Sequence, residues 1–282
     1  MSRLAALIAL VLLAAVAGCG EEGSVGTGTS SSEPGIEHVH GLGVDPADDS
    51  LVIATHTGLF RSPAGTQSAE RIGDRRQDTM GFTVVGPRRY LGSGHPDLRD
   101  ELPPLLGLIR STDGGSSWDP VSLLGEADFH VLRASGRHVA GVNSLDGRLL
   151  VSADGGETWR RETPPEPLLD VVFHPDDPRR LVATAEGGVY ASRDAGANWS
   201  RVSRAPAGLL AWPADDRLIL LDGSGDVRIS RDAGRPFESL GTVGGPPAAL
   251  AAHGNDLYVA THDNRVLVSR DGGRRWETRV VP

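Results

Sequence analysis

One pattern repeats along the chain and restricts it to a repeat architecture. Ser-x-Asp-x-Gly-x-x-Trp occurs five times, with Phe replacing Trp in the fourth copy, and its starting serines are 41, 40, 38 and 39 residues apart. The copies begin at Ser111, Ser152, Ser192, Ser230 and Ser269. A period of roughly 40 residues is typical of β-propeller blades built from four strands.

A sixth, degenerate copy precedes these five and completes the count. It lies at 60–65, lacks the Asp, and its serine comes 49 residues before the next one, with the surplus in an insertion after Ser93. Short segments rich in Val, Leu and Ala, separated by Asp-Pro and Gly-Gly turns, predict strands, and no sustained helical period is present. For the fourth unit we predict strands at 168–173, 180–184, 188–192 and 199–203. The sequence thus predicts an all-β, six-bladed propeller with four-stranded antiparallel blades over residues 36–282.

The repeated motif has a structural role that its residue types explain. The Asp can accept hydrogen bonds from turn amides, the Gly provides a positive-φ position, and the aromatic ring packs across the hairpin. We therefore predict that it closes the turn between the third and fourth strands of each blade. The residues assigned this role are Asp113, Trp118, Asp154, Trp159, Asp194, Trp199, Asp232, Phe237, Asp271 and Trp276.

This motif resembles the Asp-box (BNR) repeat of sialidases, sortilin-type receptors and photosystem-assembly propellers. The resemblance covers the whole of 36–282 and implies the propeller fold. It implies little about function, because in those families the box lies on the face opposite the ligand.

The N-terminal segment predicts export and lipidation. Arg3 precedes an apolar run from Leu4 to Val16, which is too short to span a bilayer, and residues 16–19 (Val-Ala-Gly-Cys) resemble the bacterial lipobox. We predict a lipoprotein signal peptide at 1–18 and lipidation of Cys19. A Gly/Ser/Thr-rich tether at 19–35 follows, so the propeller is expected on the extracytoplasmic face of the cell membrane.

Composition excludes two classes of function. The formal net charge is −9 and no basic run occurs, so a nucleic-acid partner is not expected. Cys19 is the only cysteine, which excludes an internal disulfide and a metal site built on several cysteines. We expect a monomer.

Histidines gather on one predicted face of the propeller. In an up-and-down blade, the loops between blades and the loops from second to third strand share one face, here called the top face; the motif turns mark the opposite, bottom face. His38 and His40 open the first strand, and the insertion at 93–107 is expected to project over the top face as a ligand-holding loop. The predicted ligand-binding residues are His38, His40, His56, His95, Asp97, Glu126, Asp128, His130 and His262.

Three functions remain open for this face. The leading interpretation is a binding, recognition or assembly module for a small polar ligand, a glycan or a partner protein. Neutral imidazoles beside carboxylates also suit a transition metal, with His38, His40 and His130 as candidate ligands, although no compact metal motif supports this and the cofactor stays unknown. Residues of this face could instead be purely structural.

An enzyme would be a glycoside hydrolase without the sialidase mechanism. Sialidases carry an Arg-Ile-Pro signature and a Tyr nucleophile, whereas the near match at 60–63 stands in the motif position and none of Tyr90, Tyr190 and Tyr258 is expected at the top rim. Asp97, Asp100 or Glu101 opposite Glu126 or Asp128 could form a two-carboxylate pair. Segments around His40, His95 and Asp128 look like those of bacterial relatives labelled glycosyl-hydrolase-like. We favour binding over catalysis.

Overall fold

The computed structural model describes residues 35–281, which form six four-stranded antiparallel sheets and no helix. Each sheet is a blade made from one continuous stretch of chain, with its strands paired in sequence order. The prediction of a six-bladed propeller is therefore confirmed. The signal peptide, Cys19 and the tether up to residue 34 lie outside the described residues.

The first strand of each blade packs against the first strands of both neighbouring blades and lines the central axis. These inner strands are β1 (Val39–Asp45), β5 (Asp78–Gly86), β9 (Phe129–Ser135), β13 (Leu168–Phe173), β17 (Gly208–Ala214) and β21 (Pro247–His253). The second strands are almost entirely buried between inner and outer strands. They are β2 (Ser50–Thr55), β6 (Arg89–His95), β10 (His138–Asn143), β14 (Leu181–Ala185), β18 (Arg217–Asp222) and β22 (Asp256–Thr261).

The third strands follow tight turns or, in the second blade, the long loop 96–107. They are β3 (Gly58–Ser62), β7 (Leu108–Ser111), β11 (Leu149–Ser152), β15 (Gly188–Ser192), β19 (Asp226–Ser230) and β23 (Val266–Ser269). The fourth strands form the more exposed rim. They are β4 (Glu70–Arg71), β8 (Asp119–Ser122), β12 (Arg160–Glu162), β16 (Ser200–Ser203), β20 (Glu238–Thr242) and β24 (Glu277–Val280).

The ring closes by packing of the sixth blade on the first. Side chains of both blades share one apolar cluster, in which Leu42 and Ile53 of the first blade pack with Val268 of the sixth. Arg279 adds polar contacts, since its guanidinium donates to the Ser62 hydroxyl at 2.7 Å. Because β21 to β24 complete the sixth blade, no N-terminal strand is needed there.

Two glycines let the inner strands of the first three blades approach closely. A Cβ atom at Gly81 would lie 2.3 Å from the Phe129 carbonyl oxygen, and one at Gly41 would lie 2.8 Å from Cβ of Phe82. Both distances are shorter than a carbon atom tolerates. These glycines follow His40 and Met80 directly, so the close approach brings the starts of β1, β5 and β9 together.

Candidate functional site

The top face carries a cluster of His40, His56 and Asp78, in which one ligand atom from each residue lies within 4.8 Å of the others. His40 Nε2 is 3.5 Å from Asp78 Oδ1, and His56 Nδ1 is 3.0 Å from Asp78 Oδ2. His40 and Asp78 come from neighbouring inner strands, and His56 comes from the turn after β2. Two of the cluster's atoms, His40 Nε2 and Asp78 Oδ1, are buried without a hydrogen-bond partner.

The electrostatics of this cluster follow from burial. Burial lowers the pKa of His40 to about 4, and the neighbouring His56, His130 and His38 reinforce the shift. The imidazole of His40 is therefore neutral at physiological pH. Burial raises the pKa of Asp78, and the nearby Asp128 carboxylate adds to that rise, against the opposing influence of His56 and His95.

A second carboxyl group, Asp128, lies one blade further on and is 4% exposed. His130 Nε2 donates to its Oδ2 at 2.9 Å, and the Ser144 hydroxyl donates to the same oxygen at 2.8 Å. Burial opposes ionisation of Asp128, but these two hydrogen bonds outweigh it and lower the pKa of the carboxyl group. In return, the hydrogen bond to Asp128 raises the pKa of His130. Oδ1 of Asp128 is buried and has no partner.

The first-blade histidines do not project as a simple i, i+2 pair. His38 has a φ of 49°, and the β1–β2 register shifts between Val39 and Gly41. The regular alternation of side-chain direction along a strand is therefore broken between His38 and His40. The two rings instead lie on either side of His56, each with its centroid 5.8 Å from that ring. Of the three predicted metal ligands, only His40 belongs to the cluster. Its other members are His56 and Asp78 instead of His38 and His130.

His95 lies where the insertion leaves β6, opposite Asp78 in the β5–β6 register. Its Nδ1 is 2.9 Å from the Pro104 carbonyl oxygen, which can only accept, so Nδ1 carries the proton. In the neutral imidazole, Nε2 of His95 is then a lone-pair acceptor. The imidazole is thus held by the long loop in one tautomer beside the cluster.

The acidic residues predicted on this loop fasten it to the chain before β5. Asp97 accepts from the Arg76 amide at 2.7 Å and from Arg99 Nη2 at 2.7 Å. The hydrogen bonds from Arg99 hold the pKa of Asp97 well below its usual range. Asp100 pairs with Arg75 in the same way. Both carboxylates are engaged, which makes them anchors of the loop and poor acid–base candidates.

Two other predicted residues stand apart from the cluster. His262 is exposed, and its amide donates to the Pro246 carbonyl oxygen at 3.1 Å. Across residues 35–281 no hydrogen bond or ring contact joins the side chain of His262 to that of His56. Glu126 is exposed, and its amide donates to the Leu123 carbonyl oxygen at 2.9 Å. Asp78, the first residue of β5, is the residue of the cluster that the sequence analysis did not include.

The bottom face contrasts with the top because most of the aspartates in its turns accept several hydrogen bonds. In the second blade, Asp113 Oδ1 accepts from the Ser111 hydroxyl at 2.8 Å and from the Ser117 amide at 3.0 Å. Asp45 is fully buried and accepts from the Tyr90 hydroxyl at 2.6 Å and from Arg61 Nη2 at 3.0 Å. Arg61, the arginine in the near match to the sialidase signature at 60–63, is therefore a structural residue on the bottom face.

Comparisons with known proteins place the fold and give one functional lead. No protein-family profile matches the chain. A xyloglucanase of Hypocrea jecorina (strain QM6a) is 25% identical over 245 residues, which is 83% of this chain but only 26% of the relative. The chain therefore spans about a quarter of that protein's length.

Solved structures show the same architecture at low identity. The GH74 xyloglucanase from Xanthomonas campestris matches with a TM-score of 0.55 and 18% identity over 86% of this chain and 45% of its own. A chain of a nidogen/laminin complex matches with a TM-score of 0.63 and 16% identity over 83% of this chain and 93% of its own. These likenesses establish the propeller fold.

No helix within residues 35–281 is long and apolar enough to cross a membrane.

Proposed function

We propose that the top face binds a polysaccharide and hydrolyses its glycosidic bonds. The observation that carries the proposal is a pair of carboxyl groups, Asp78 and Asp128, at the starts of adjacent inner strands, each with a buried Oδ1 that has no hydrogen-bond partner. Buried polar atoms in folded proteins are nearly always paired, so two such oxygens on one face indicate groups kept for a ligand. The xyloglucanase relative, aligned along most of the propeller, supports a saccharide as that ligand.

The two carboxyl groups suit different steps of hydrolysis. Asp128 is the general base: its carboxylate takes a proton from a water molecule, whose oxygen attacks the anomeric carbon. Asp78 is the general acid: it gives its proton to the glycosidic oxygen as the bond from that oxygen to the anomeric carbon breaks. The opposite directions of their pKa shifts, raised for Asp78 and lowered for Asp128, agree with this division.

The surrounding side chains suit recognition of a neutral, hydroxyl-rich chain. His95 Nε2 offers an acceptor, and the loop 96–107 carries the fully exposed Leu98 above the same face. Hydroxyl groups of a sugar can donate to such acceptors, while its C–H faces pack on apolar side chains. In this view the loop holds the substrate over Asp78 and Asp128.

Non-catalytic binding of a glycan, small polar ligand or partner protein is the alternative that the same face allows. The opposite pKa shifts of Asp78 and Asp128 favour hydrolysis over non-catalytic binding, because recognition alone gives no reason for them. We further propose that the propeller works outside the cytoplasmic membrane, anchored through Cys19. The resemblance of the motif to the Asp-box repeat fits such an exported propeller.

The test is release of reducing ends from xyloglucan and from a panel of other neutral β-glucans. We expect hydrolysis of at least one polysaccharide by the wild-type chain, and a fall in kcat of roughly 10²–10⁴-fold in Asp128→Asn, as for loss of a general base. The matched control is Asp146→Asn, which changes an exposed carboxylate in the top-face turn of the same blade and should leave kcat unchanged. Equal activity of Asp128→Asn and wild type would contradict the proposal.

A further inference from the structure

We propose that His40, His56 and Asp78 form a binding site for one divalent transition-metal ion of the zinc class. This goes beyond the proposed hydrolysis, which requires no metal. The three residues come from separate parts of the chain, β1, the turn after β2 and the start of β5, and the fold brings them together at the top of the channel.

The spacing of the ligand atoms fits a single ion. Zn²⁺ binds imidazole nitrogen and carboxylate oxygen at ~2.0–2.2 Å, so two ligands of a tetrahedral ion lie ~3.3 Å apart. The two nitrogen-to-oxygen distances in the cluster, 3.5 Å and 3.0 Å, lie on either side of that value. The first distance runs to Oδ1 of Asp78 and the second to Oδ2, so an ion placed between the two nitrogens and this carboxyl group requires small side-chain adjustments rather than a rearrangement of the strands.

The hydrogen-bonding state of the cluster points to a missing cation. His40 Nε2 and Asp78 Oδ1 are both buried, and neither has a hydrogen-bond partner among the described residues. A histidine nitrogen and a carboxylate oxygen left in this way cost free energy unless something binds them. A metal ion bound by both atoms satisfies them at once.

The donor set defines the class of ion. Two imidazoles and one carboxylate suit zinc, iron, nickel or copper and are poor ligands for calcium or magnesium, which prefer oxygen. Three protein ligands leave at least one coordination position open. His56 is the most exposed member, with 58% of its side chain accessible, so an ion can enter from solvent on that side.

Other histidines in the fold make good comparisons because their nitrogens are already engaged. His174, on the bottom face, pairs with Asp215 and accepts from the Asp176 amide at 3.1 Å. His130 donates to Asp128 at 2.9 Å. Neither residue belongs to a group of converging metal-ligand atoms within residues 35–281. The inference is therefore specific to the first and second blades.

Metal binding and the proposed hydrolysis compete for one carboxyl group. A metal-bound Asp78 cannot hold the proton that a leaving glycosidic oxygen needs. Zinc is therefore expected to inhibit hydrolysis by the wild-type chain, and this inhibition should weaken in His56→Ala. This consequence depends on the proposed function, whereas the metal site itself does not.

The test is calorimetric titration of the full chain, purified without a polyhistidine tag and stripped by chelator, with zinc chloride. We expect one zinc ion per chain, and binding at least ~100-fold weaker in His56→Ala, since a lost ligand should cost no less than a lost outer-shell partner. His262→Ala is the matched control, because His262 occupies the corresponding turn of the sixth blade and is likewise exposed. It should bind zinc as the wild type does.

A second readout keeps the result independent of folding and of catalysis. Cobalt bound in place of zinc should give visible absorption bands in the wild type and in His262→Ala, and none in His56→Ala, with all three proteins unfolding at similar temperatures. No zinc binding, or equal weakening by His56→Ala and His262→Ala, would overturn the site. Zinc binding without polysaccharide hydrolysis supports the site and contradicts the proposed function; hydrolysis without zinc binding does the reverse.

Discussion

The two faces of this propeller use the same residue type in opposite ways. On the bottom face, aspartates sit in turns where hydroxyls and amides donate to them, as Asp154 shows by accepting from Ser152 and Thr158. On the top face, Asp78 and Asp128 each leave a buried oxygen without a partner. A carboxylate that is fully paired stabilises the fold, whereas one left unpaired costs stability and is free for a ligand. The difference separates the structural aspartates from those that we propose to be functional.

The fifth blade is an informative exception on the bottom face. In four blades the amide four residues after the motif Asp donates to it, from Ser117, Thr158, Asn198 and Arg275. The corresponding residue in the fifth blade is Pro236, which has no N–H group. No hydrogen bond reaches the Asp232 carboxylate within the described chain, although Ser230 still accepts from the Gly234 amide at 2.9 Å.

The largest expected effect comes from breaking the most deeply paired bottom-face carboxylate. Asp45→Ala should lower the free energy of unfolding by about 3–5 kcal/mol, because it leaves the buried Tyr90 hydroxyl without its acceptor and removes one of the two carboxylates that pair with Arg61. Urea denaturation would measure this. A loss under about 1 kcal/mol would show that paired bottom-face carboxylates do not carry stability in the way the comparison requires.

Removing the charge of the top-face Asp78, in contrast, should not lower the free energy of unfolding. Asp78→Asn should leave the unfolding free energy unchanged or raise it by up to about 1 kcal/mol at pH 7, since burial disfavours the carboxylate form of Asp78 and its ion pair with the exposed His56 contributes little. The pKa of Asp78 is raised in the folded protein. The folded wild type therefore binds more protons than the unfolded chain above pH 3.8, and it loses stability as pH rises through that window.

The gain in Asp78→Asn should accordingly disappear below pH 3.8, where both states of the wild type are protonated. Denaturation curves of the two proteins between pH 3 and pH 7 would check the sign. Destabilisation by Asp78→Asn at pH 7 would mean that Asp78 is a structural residue after all.

A smaller effect should distinguish the fifth blade from the others. Asp113→Ala should cost about 1 kcal/mol, because several hydrogen bonds in its turn are lost, while Asp232→Ala should change stability by less than about 0.5 kcal/mol. Thermal unfolding of both variants under one condition gives the comparison. Equal losses would show that the turn amide missing at Pro236 contributes little.

The fold was predictable because each blade repeats one local pattern. The strands predicted at 168–173 and 188–192 match the structure; the one predicted at 180–184 is shifted by one residue, and the one predicted at 199–203 begins one residue later. The motif spacing supplied the number of blades. Local turn chemistry and strand alternation lie close together in sequence, so a reader of the sequence alone can see them.

The site was predictable only in part because it depends on contacts between blades. The predicted face is where His40, His56 and Asp128 lie, but their grouping depends on the bulge after His38 and on close packing at Gly81. Asp97 looked like a free acid because nothing in the sequence indicates that the Arg76 amide and the Arg99 guanidinium donate hydrogen bonds to it. Asp78 was not among the predicted site residues because its partners, His40 and His56, belong to another blade.

One measurement tests most directly whether Asp78, a top-face carboxyl group with a buried oxygen that has no hydrogen-bond partner, is functional. Asp78→Asn and Asp45→Asn should be compared in two assays, unfolding in urea and release of reducing ends from the polysaccharide that the wild type hydrolyses. The account predicts that Asp78→Asn is as stable as the wild type and loses at least about 100-fold in kcat, while Asp45→Asn loses stability but keeps its kcat at temperatures where it stays folded. Full activity in a stable Asp78→Asn protein would contradict the account.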